Sequence, residues 1–298
     1  MNFIPRNSNF STFGRGAINL QANKGEYLSI EDIQRRAPAV FAEGAHSSRS
    51  ERFVHFATHE LLRGLIEQGF VPVRVSVGGS SDVEKRNFTK HAIRLRRIED
   101  ISNQTPKVGD SIPEVVLRNA HDGTSAYALD AALYRLICSN GMVVSDKQFG
   151  SIKVGHTGKN AIDKVIEGTY TVISDAQLAL ERAQELRAIE LTPSEQVLFG
   201  NEAKALRFEG PVAEQITGEQ VVRARRSADL GSSLWLTFNR AQENLVRGGL
   251  NYHVTSAKGD VQNRESRPVR SVDGDFSLNK DLWALTQDFA SWKASKVA

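Results

Sequence analysis

Cysteine is nearly absent from this chain: Cys138 is the single thiol among 298 residues. That excludes an internal disulfide framework and any zinc site built on paired thiolates, and it fits a reducing compartment. Long apolar runs are missing as well. The longest, Val71 to Val77 and Leu133 to Cys138, are broken by proline or arginine and fall far short of the ~20 residues a membrane helix needs. Met1 to Arg15 is polar and lacks the apolar centre of a secretory signal. A cytoplasmic protein without a membrane partner is expected. Strong charge of one sign is also lacking, because the net charge is +3 and the pI about 9.0. That balance does not by itself indicate nucleic acid, so the distribution of the charge must decide.

What is present is 40% hydrophobic composition, enough for a sizeable core in one large domain or two modest ones. The periodicities predict an α+β fold, with an antiparallel meander sheet, flanking helices and a mainly helical C-terminal half. The expected boundaries are an irregular N-terminal arm at 1–28, an α+β sheet core at 29–159, and a mainly helical region at 160–298 packed on that core, with one continuous domain left open. Ser29-Ile30-Glu31-Asp32 reads as a helix start that ends near Pro38. Leu61, Leu62, Leu65 and Ile66 make a helical stripe over Thr58 to Gln68, stopped by Gly69. Val71, Val73, Val75 and Val77 alternate as a strand does, and Pro72 places it at a strand start or a sheet edge. After Gly78-Gly79-Ser80-Ser81 a second strand runs from Phe88 to Ile98, and a third from Glu114 to Arg118. His121-Asp122-Gly123 is a turn signal, Asn140-Gly141 a hairpin signal, and Ser151 to Val154 a last strand.

From Asn160 the period is helical. Asn160 and Asp163 cap a long helix carrying Ile162, Ile166, Thr169, Ile173 and Leu180. Thr192-Pro193-Ser194-Glu195 combines an N-cap, proline at the first position and glutamate at the third. Further helices are expected at Leu234 to Val246, stopped by Gly248-Gly249, and at Asp281 to Trp292. The polar stretch from Thr255 to Asp275, with Arg264, Arg267 and Arg270, reads as a long loop.

Two segments carry a family resemblance. One is Asn119-Ala120-His121-Asp122-Gly123-Thr124-Ser125 with Arg135-Leu136-Ile137-Cys138-Ser139-Asn140-Gly141-Met142-Val143. The other is Leu234-Trp235-Leu236-Thr237-Phe238-Asn239-Arg240-Ala241-Gln242-Glu243-Asn244 with Arg247-Gly248-Gly249. They resemble the plasmid- and phage-associated domain of unknown function numbered 932, the family of YfjQ-, YafZ- and YubP-like proteins. His91-Ala92-Ile93-Arg94-Leu95-Arg96 fits the same pattern, so the similarity covers most of the chain from the second helix onward. The resemblance implies a mobile-element setting and supplies no catalytic residues. At the level of fold alone, a meander followed by a long helix is similar to the Rad52-like strand-annealing proteins, whose basic groove holds single-stranded DNA.

Lys85 to Arg97 contains Lys85, Arg86, Lys90, Arg94, Arg96 and Arg97 without an acid. Lys90, Arg94 and Arg96 share one face of a strand, and such a row suits a phosphate backbone. It equally suits a solvated sheet face or a charge-guarded edge. Phe88, Tyr127 and Tyr134 are the aromatic residues available for base stacking, or else they are core. Gly155-His156-Thr157-Gly158-Lys159-Asn160 joins a strand to a helix, but Lys153 and Asn160 stand where a Walker A loop needs glycine and a hydroxyl. It is a structural turn or a phosphate contact through Lys159. Arg223-Ala224-Arg225-Arg226 extends a phosphate surface or is simply solvated.

His55 and His59 lie one helical turn apart without further metal ligands. His121-Asp122 is an acid/base pair or a turn. Cys138 is a nucleophile or a buried small side chain. The helical face of Trp235, Phe238 and Leu245, with Arg240 and Arg247, either packs internally or binds a partner. Asp122, Asp130, Asp146 and Glu243 have no spacing that marks a metal-dependent nuclease. The sequence shows no catalytic signature and calls for no cofactor or metal.

The expectation is therefore a homo-oligomeric mobile-element accessory protein that binds single-stranded DNA and promotes strand annealing or recombination. Arg86, Lys90, Arg94, Arg96, Lys153 and Lys159 are its phosphate contacts. The alternative is a protein-binding counter-defence or replication-accessory module without direct DNA contact.

Overall fold

The computed structural model describes residues 8–23, 25–49, 55, 57–102, 111–135, 141–143, 152–154, 161–255 and 260–297. The chain is α+β. It divides into two compact units, the first formed by 1–107, 112–134 and 147–177, the second by 108–111, 135–146 and 178–298. The division falls inside the long helix rather than at residue 160.

The first unit opens with strands where an irregular arm is expected. β1 (Ser8–Thr12) and β2 (Ile18–Ala22) form an antiparallel hairpin, and β2 pairs with β3 (Phe70–Val77) through Ile18 opposite Val77. Only Leu20 and Ala22 of β2 are buried, and β1 is exposed beyond Ser8. Between β2 and β3 lie α1 (Ile30–Arg36) and α2 (Thr58–Glu67). Ser29 caps α1 by accepting from the Asp32 amide at 3.1 Å. The stripe of α2 is realised with Leu61, Leu62 and Leu65 buried, and Gly69 ends it in the left-handed conformation that glycine adopts without strain.

β3 is interior to the sheet, but Pro72 stands at its start, beyond the reach of β2, beside an irregularity between Pro72 and Arg74. β4 (His91–Arg97) follows a 3-10 turn at Glu84–Phe88, then come α3 (Ile98–Ser102), β5 (Ser111–Asn119) and β6 (Tyr127–Arg135). β7 (Gly141–Val143) continues the meander, and β8 (Ile152–Val154) returns to pair with β6, Leu129 opposite Ile152. Asn140 of the expected Asn-Gly turn, Cys138, Asp146, Lys159 and the expected cap Asn160 lie outside the described residues.

α4 (Ala161–Ala188) buries Val165, Thr169, Val172, Ile173, Ala176, Ala179, Ala183 and Leu186. This stripe is shifted from the expected one, keeping Thr169 and Ile173 but leaving Ile166 and Leu180 half-buried.

In the second unit α5 (Pro193–Ala205) begins with a complete capping box between Thr192 and Glu195. The short α6 (Gly210–Gln215) and α7 (Gly218–Val221) lead to α8 (Leu234–Arg247). The stretch expected as a loop holds instead β9 (Asn251–Thr255) and β10 (Val261–Glu265), a separate two-stranded sheet. α9 (Val272–Val297) starts well before Asp281. No helix among the described residues is long and apolar enough to cross a membrane.

Candidate nucleic-acid interface

An antiparallel meander brings alternate connections to one end. The β1–β2 tip, the β3–β4 connection and the β5–β6 turn therefore meet, and hydrogen bonds join them to one another and to the loop after α1. The Ser80 amide donates to the Arg15 carbonyl at 2.9 Å, His121 and Asp122 amides donate to the Phe88 carbonyl at 3.0 Å, and the His46 amide donates to the His121 carbonyl at 3.1 Å. A Cβ at Gly79 would stand 2.8 Å from the Arg15 carbonyl oxygen, so glycine is what lets the first two connections touch.

Arginines project from this end. Arg15 is exposed and adopts a left-handed backbone (φ 63) although glycines flank it. Arg86 is exposed and lies over Gly16, where an added Cβ would be 3.2 Å from its Cδ, and its Nε donates to the Ser80 carbonyl at 3.2 Å. Arg49 is exposed and covers Gly123 in the same manner. Lys85 and Lys90 are half-buried nearby in sequence. The acids of these loops are partly committed: Asp82 sits 3.9 Å from Lys85, and Asp122 accepts from the Thr124 amide at 3.0 Å.

The strand arginines are placed differently. Arg94 and Arg96 do share a face, as their spacing requires, but that face is covered as well as the one holding Ile93 and Leu95. Arg94 Nη1 reaches Glu114 Oε2 at 3.1 Å, Arg96 Nη2 reaches Glu114 Oε1 at 2.7 Å, and Glu114 is fully buried. Arg96 also lies over the Tyr134 ring at 4.0 Å. Arg118 pairs with buried Asp130 at 2.8 Å. The expectation of one basic face and one buried face gives way to ion pairs across β4, β5 and β6, because burial of a guanidinium requires an acid beside it. Lys153 is exposed on β8, opposite Ala128. Tyr127 is core, and burial raises its hydroxyl pKa.

Directly inside the loop end lies a buried polar knot that sequence reasoning did not assemble. Thr58 Oγ1 is 3.0 Å from His91 Nε2, 3.3 Å from His121 Nε2, 3.4 Å from the Tyr127 hydroxyl and 3.0 Å from Asn119 Nδ2. His91 Nδ1 faces the Thr89 carbonyl at 3.1 Å, which fixes the proton there and leaves Nε2 as acceptor. Burial is the main reason the His91 pKa falls to about 4.

His59 stacks on Phe41 and the His55 ring lies tilted against His121, so the suggested pair faces different neighbours. Among the described residues no group of three or more His, Cys, Asp or Glu is arranged to hold a metal. Trp235, Phe238 and Leu245 are buried in the second unit. Arg240 is spent on the Asp229 and Gly231 carbonyls at 2.9 and 2.8 Å and on Gln196 at 2.7 Å. Glu243 pairs with Arg226 and with Arg247. Arg223 and Arg225 are exposed and Arg226 is half-buried.

Comparison with known proteins is decisive on family. Residues 45–283 match the model of the family described as Domain of unknown function (DUF932). The chain belongs to that family. Two Escherichia coli (strain K12) proteins, UPF0380 protein YfjQ and UPF0380 protein YafZ, are each 36% identical over 272 residues, covering 91% of this chain and 94% of theirs. No solved structure matches, so the fold-level likeness to Rad52-like proteins gains no support. The DUF932 match begins at residue 45, so it takes in the Arg49, Arg86 and Thr58 regions while Arg15 precedes it.

Proposed function

We propose that this DUF932 protein binds single-stranded DNA through the loop end of its sheet, with Arg15, Arg49 and Arg86 as phosphate contacts and Lys85 and Lys90 beside them. The observation that carries this reading is Arg15. A non-glycine residue in left-handed backbone costs on the order of 1 kcal/mol, and such strain gathers where it serves a site. Here it holds an exposed cation against the loop that bears exposed Arg86. Arg94 and Arg96, both paired with the one buried carboxylate of Glu114, support the fold beneath. In the mobile-element setting implied by the family resemblance, holding a single strand in this way would serve strand annealing or recombination.

The test is fluorescence anisotropy with a labelled single-stranded oligonucleotide across a salt series. Arg15→Ala/Arg49→Ala/Arg86→Ala is expected to weaken binding at least tenfold. It should flatten the log–log salt dependence by about 2, at roughly 0.7 per lost phosphate contact. Failure of the wild-type protein to bind at low salt overturns the reading and turns attention to a protein partner.

A further inference from the structure

β9 and β10 form a ribbon that buries neither face. Among their residues only Tyr252 is half-buried and the rest are exposed. The register sets Tyr252 opposite Arg264 and Val254 opposite Gln262 on one face, with His253 opposite Asn263 on the other. A solitary hairpin is marginally stable in water, so this one needs an anchor, and its root supplies one. Gly248 ends α8 at φ 73, where a Cβ would collide with the Ser266 carbonyl oxygen at 2.2 Å. The Gly249 amide donates to that carbonyl at 2.8 Å, the Ser266 amide donates to Leu250 at 2.9 Å, and the Val269 amide donates to Val246 at 2.8 Å. The ribbon is thus fixed at its root to the end of α8, and along the β9 edge the His253 amide donates to Gln215 Oε1 of α6 at 2.6 Å, while both faces stay exposed.

The surroundings are cationic. Residues 247–270 carry Arg247, Lys258, Arg264, Arg267 and Arg270 against Asp260 and Glu265, and because Arg247 is paired with Glu243 the surplus is four cations against two acids, +2. Arg223, Arg264, Arg267 and Arg270 are exposed. Arg207 and Arg225 have structural duties, donating to the Leu245 and Gly248 carbonyls at the helix end. The ribbon itself presents arginine, asparagine, glutamine, histidine and threonine, with Arg264 donating to Gln262 at 2.6 Å and His253 Nδ1 lying 2.7 Å from Asn263 Oδ1. Arginine, asparagine and glutamine are the side chains that read base edges. The duplex major groove, about 12 Å wide, admits a two-stranded ribbon whose strands lie about 4.8 Å apart.

We infer that the β9–β10 ribbon is a duplex DNA-binding element, entering a groove while Arg223, Arg267 and Arg270 at its root meet the phosphates. Five paired positions at about 3.4 Å per residue span roughly 17 Å, enough to cross the groove. The exposed Arg223, Arg264, Arg267 and Arg270 of the ribbon and its root favour a polyanion over a protein strand added to the ribbon's edge. This site is independent of the loop-end site for single strands.

The experiment measures full-length protein binding to a labelled duplex of ~20 base pairs, about two helical turns, and to one of its strands alone. The ribbon variant Gln262→Ala/Asn263→Ala/Arg264→Ala is expected to lose duplex affinity at least tenfold. The root variant Arg223→Ala/Arg267→Ala/Arg270→Ala should flatten the duplex salt dependence by about 3, at roughly 0.9 per phosphate. Both should keep the wild-type melting temperature and single-strand affinity, whereas Arg15→Ala/Arg49→Ala/Arg86→Ala should keep duplex binding. Undiminished duplex binding by the ribbon and root variants overturns the inference. So does a wild type that ignores duplex but self-associates through the ribbon in sedimentation, which would make the surface a protein contact.

Discussion

The basic stretch from Lys85 to Arg97 meets two fates within a few residues. In the connection before β4, Arg86 is exposed, beside the strained and exposed Arg15. Inside β4, Arg94 and Arg96 are turned onto a single buried carboxylate, Glu114, and Arg96 is stacked on Tyr134. The residue type is the same and the physics is opposite. In the loop a guanidinium keeps its hydration and its field reaches solvent. In the strand its desolvation must be offset by an ion pair with good geometry. A row of cations in a sequence therefore fixes charge, and only the partners across the sheet decide where that charge is felt.

Removing the shared acid tests this contrast most severely. Glu114→Ala removes the carboxylate shared by buried Arg94 and half-buried Arg96 and is expected to destabilise the first unit by about 3–5 kcal/mol. The matching change in the loop, Glu84→Ala, should fall within about 0.5 kcal/mol. Chemical denaturation followed by circular dichroism measures both. Near-equal effects would mean that the strand arginines are solvated after all, and that the contrast is false.

The knot beneath the loop end adds a pH dependence of its own. His91 is fully buried and its pKa lies near 4 in the fold, against about 6.5 in an unfolded chain. Between those values the unfolded chain binds the extra proton, so the contribution of neutral His91 to stability is full above pH ~6.5, declines as pH falls and is lost by pH ~4. The window corresponds to about 3 kcal/mol. A urea-unfolding series across these pH values should show the decline in wild type and its reduction in His91→Gln. An unchanged slope in the variant would assign the decline to other groups.

What was legible beforehand was local. The Ser29 cap, the stripe of α2, the Thr192 capping box and the Val71–Val77 alternation depend on neighbours a few residues apart, and each stands as read. β1 and β2 were missed because an edge hairpin buries little and so carries a weak apolar period. The ribbon was missed because it buries neither face and its strands lie in a polar run. At the site, the spacing of Arg94 and Arg96 gave their common face but not Glu114, which arrives from the next strand. Thr58 gathers partners 33 to 69 residues away, a convergence that only the folded sheet produces. The strain at Arg15 carried no sequence signal beyond its flanking glycines.

That strain gives the finest test of the comparison, because it separates stability from binding at one residue. Arg15 takes a backbone that costs a side-chain-bearing residue on the order of 1 kcal/mol and costs glycine almost nothing, while glycine gains entropy in the unfolded chain that returns part of the difference. Arg15→Gly is therefore expected to stabilise the protein by about 0.5 kcal/mol, read as a small rise in the denaturation midpoint with an unchanged slope. The same variant loses an exposed cation and should bind a single-stranded oligonucleotide more weakly, with the salt dependence flatter by about 0.7. A gain in stability joined to a loss in binding is what strain held for a ligand predicts. A gain with unchanged binding would leave Arg15 a turn residue and return the loop end to Arg49 and Arg86 alone.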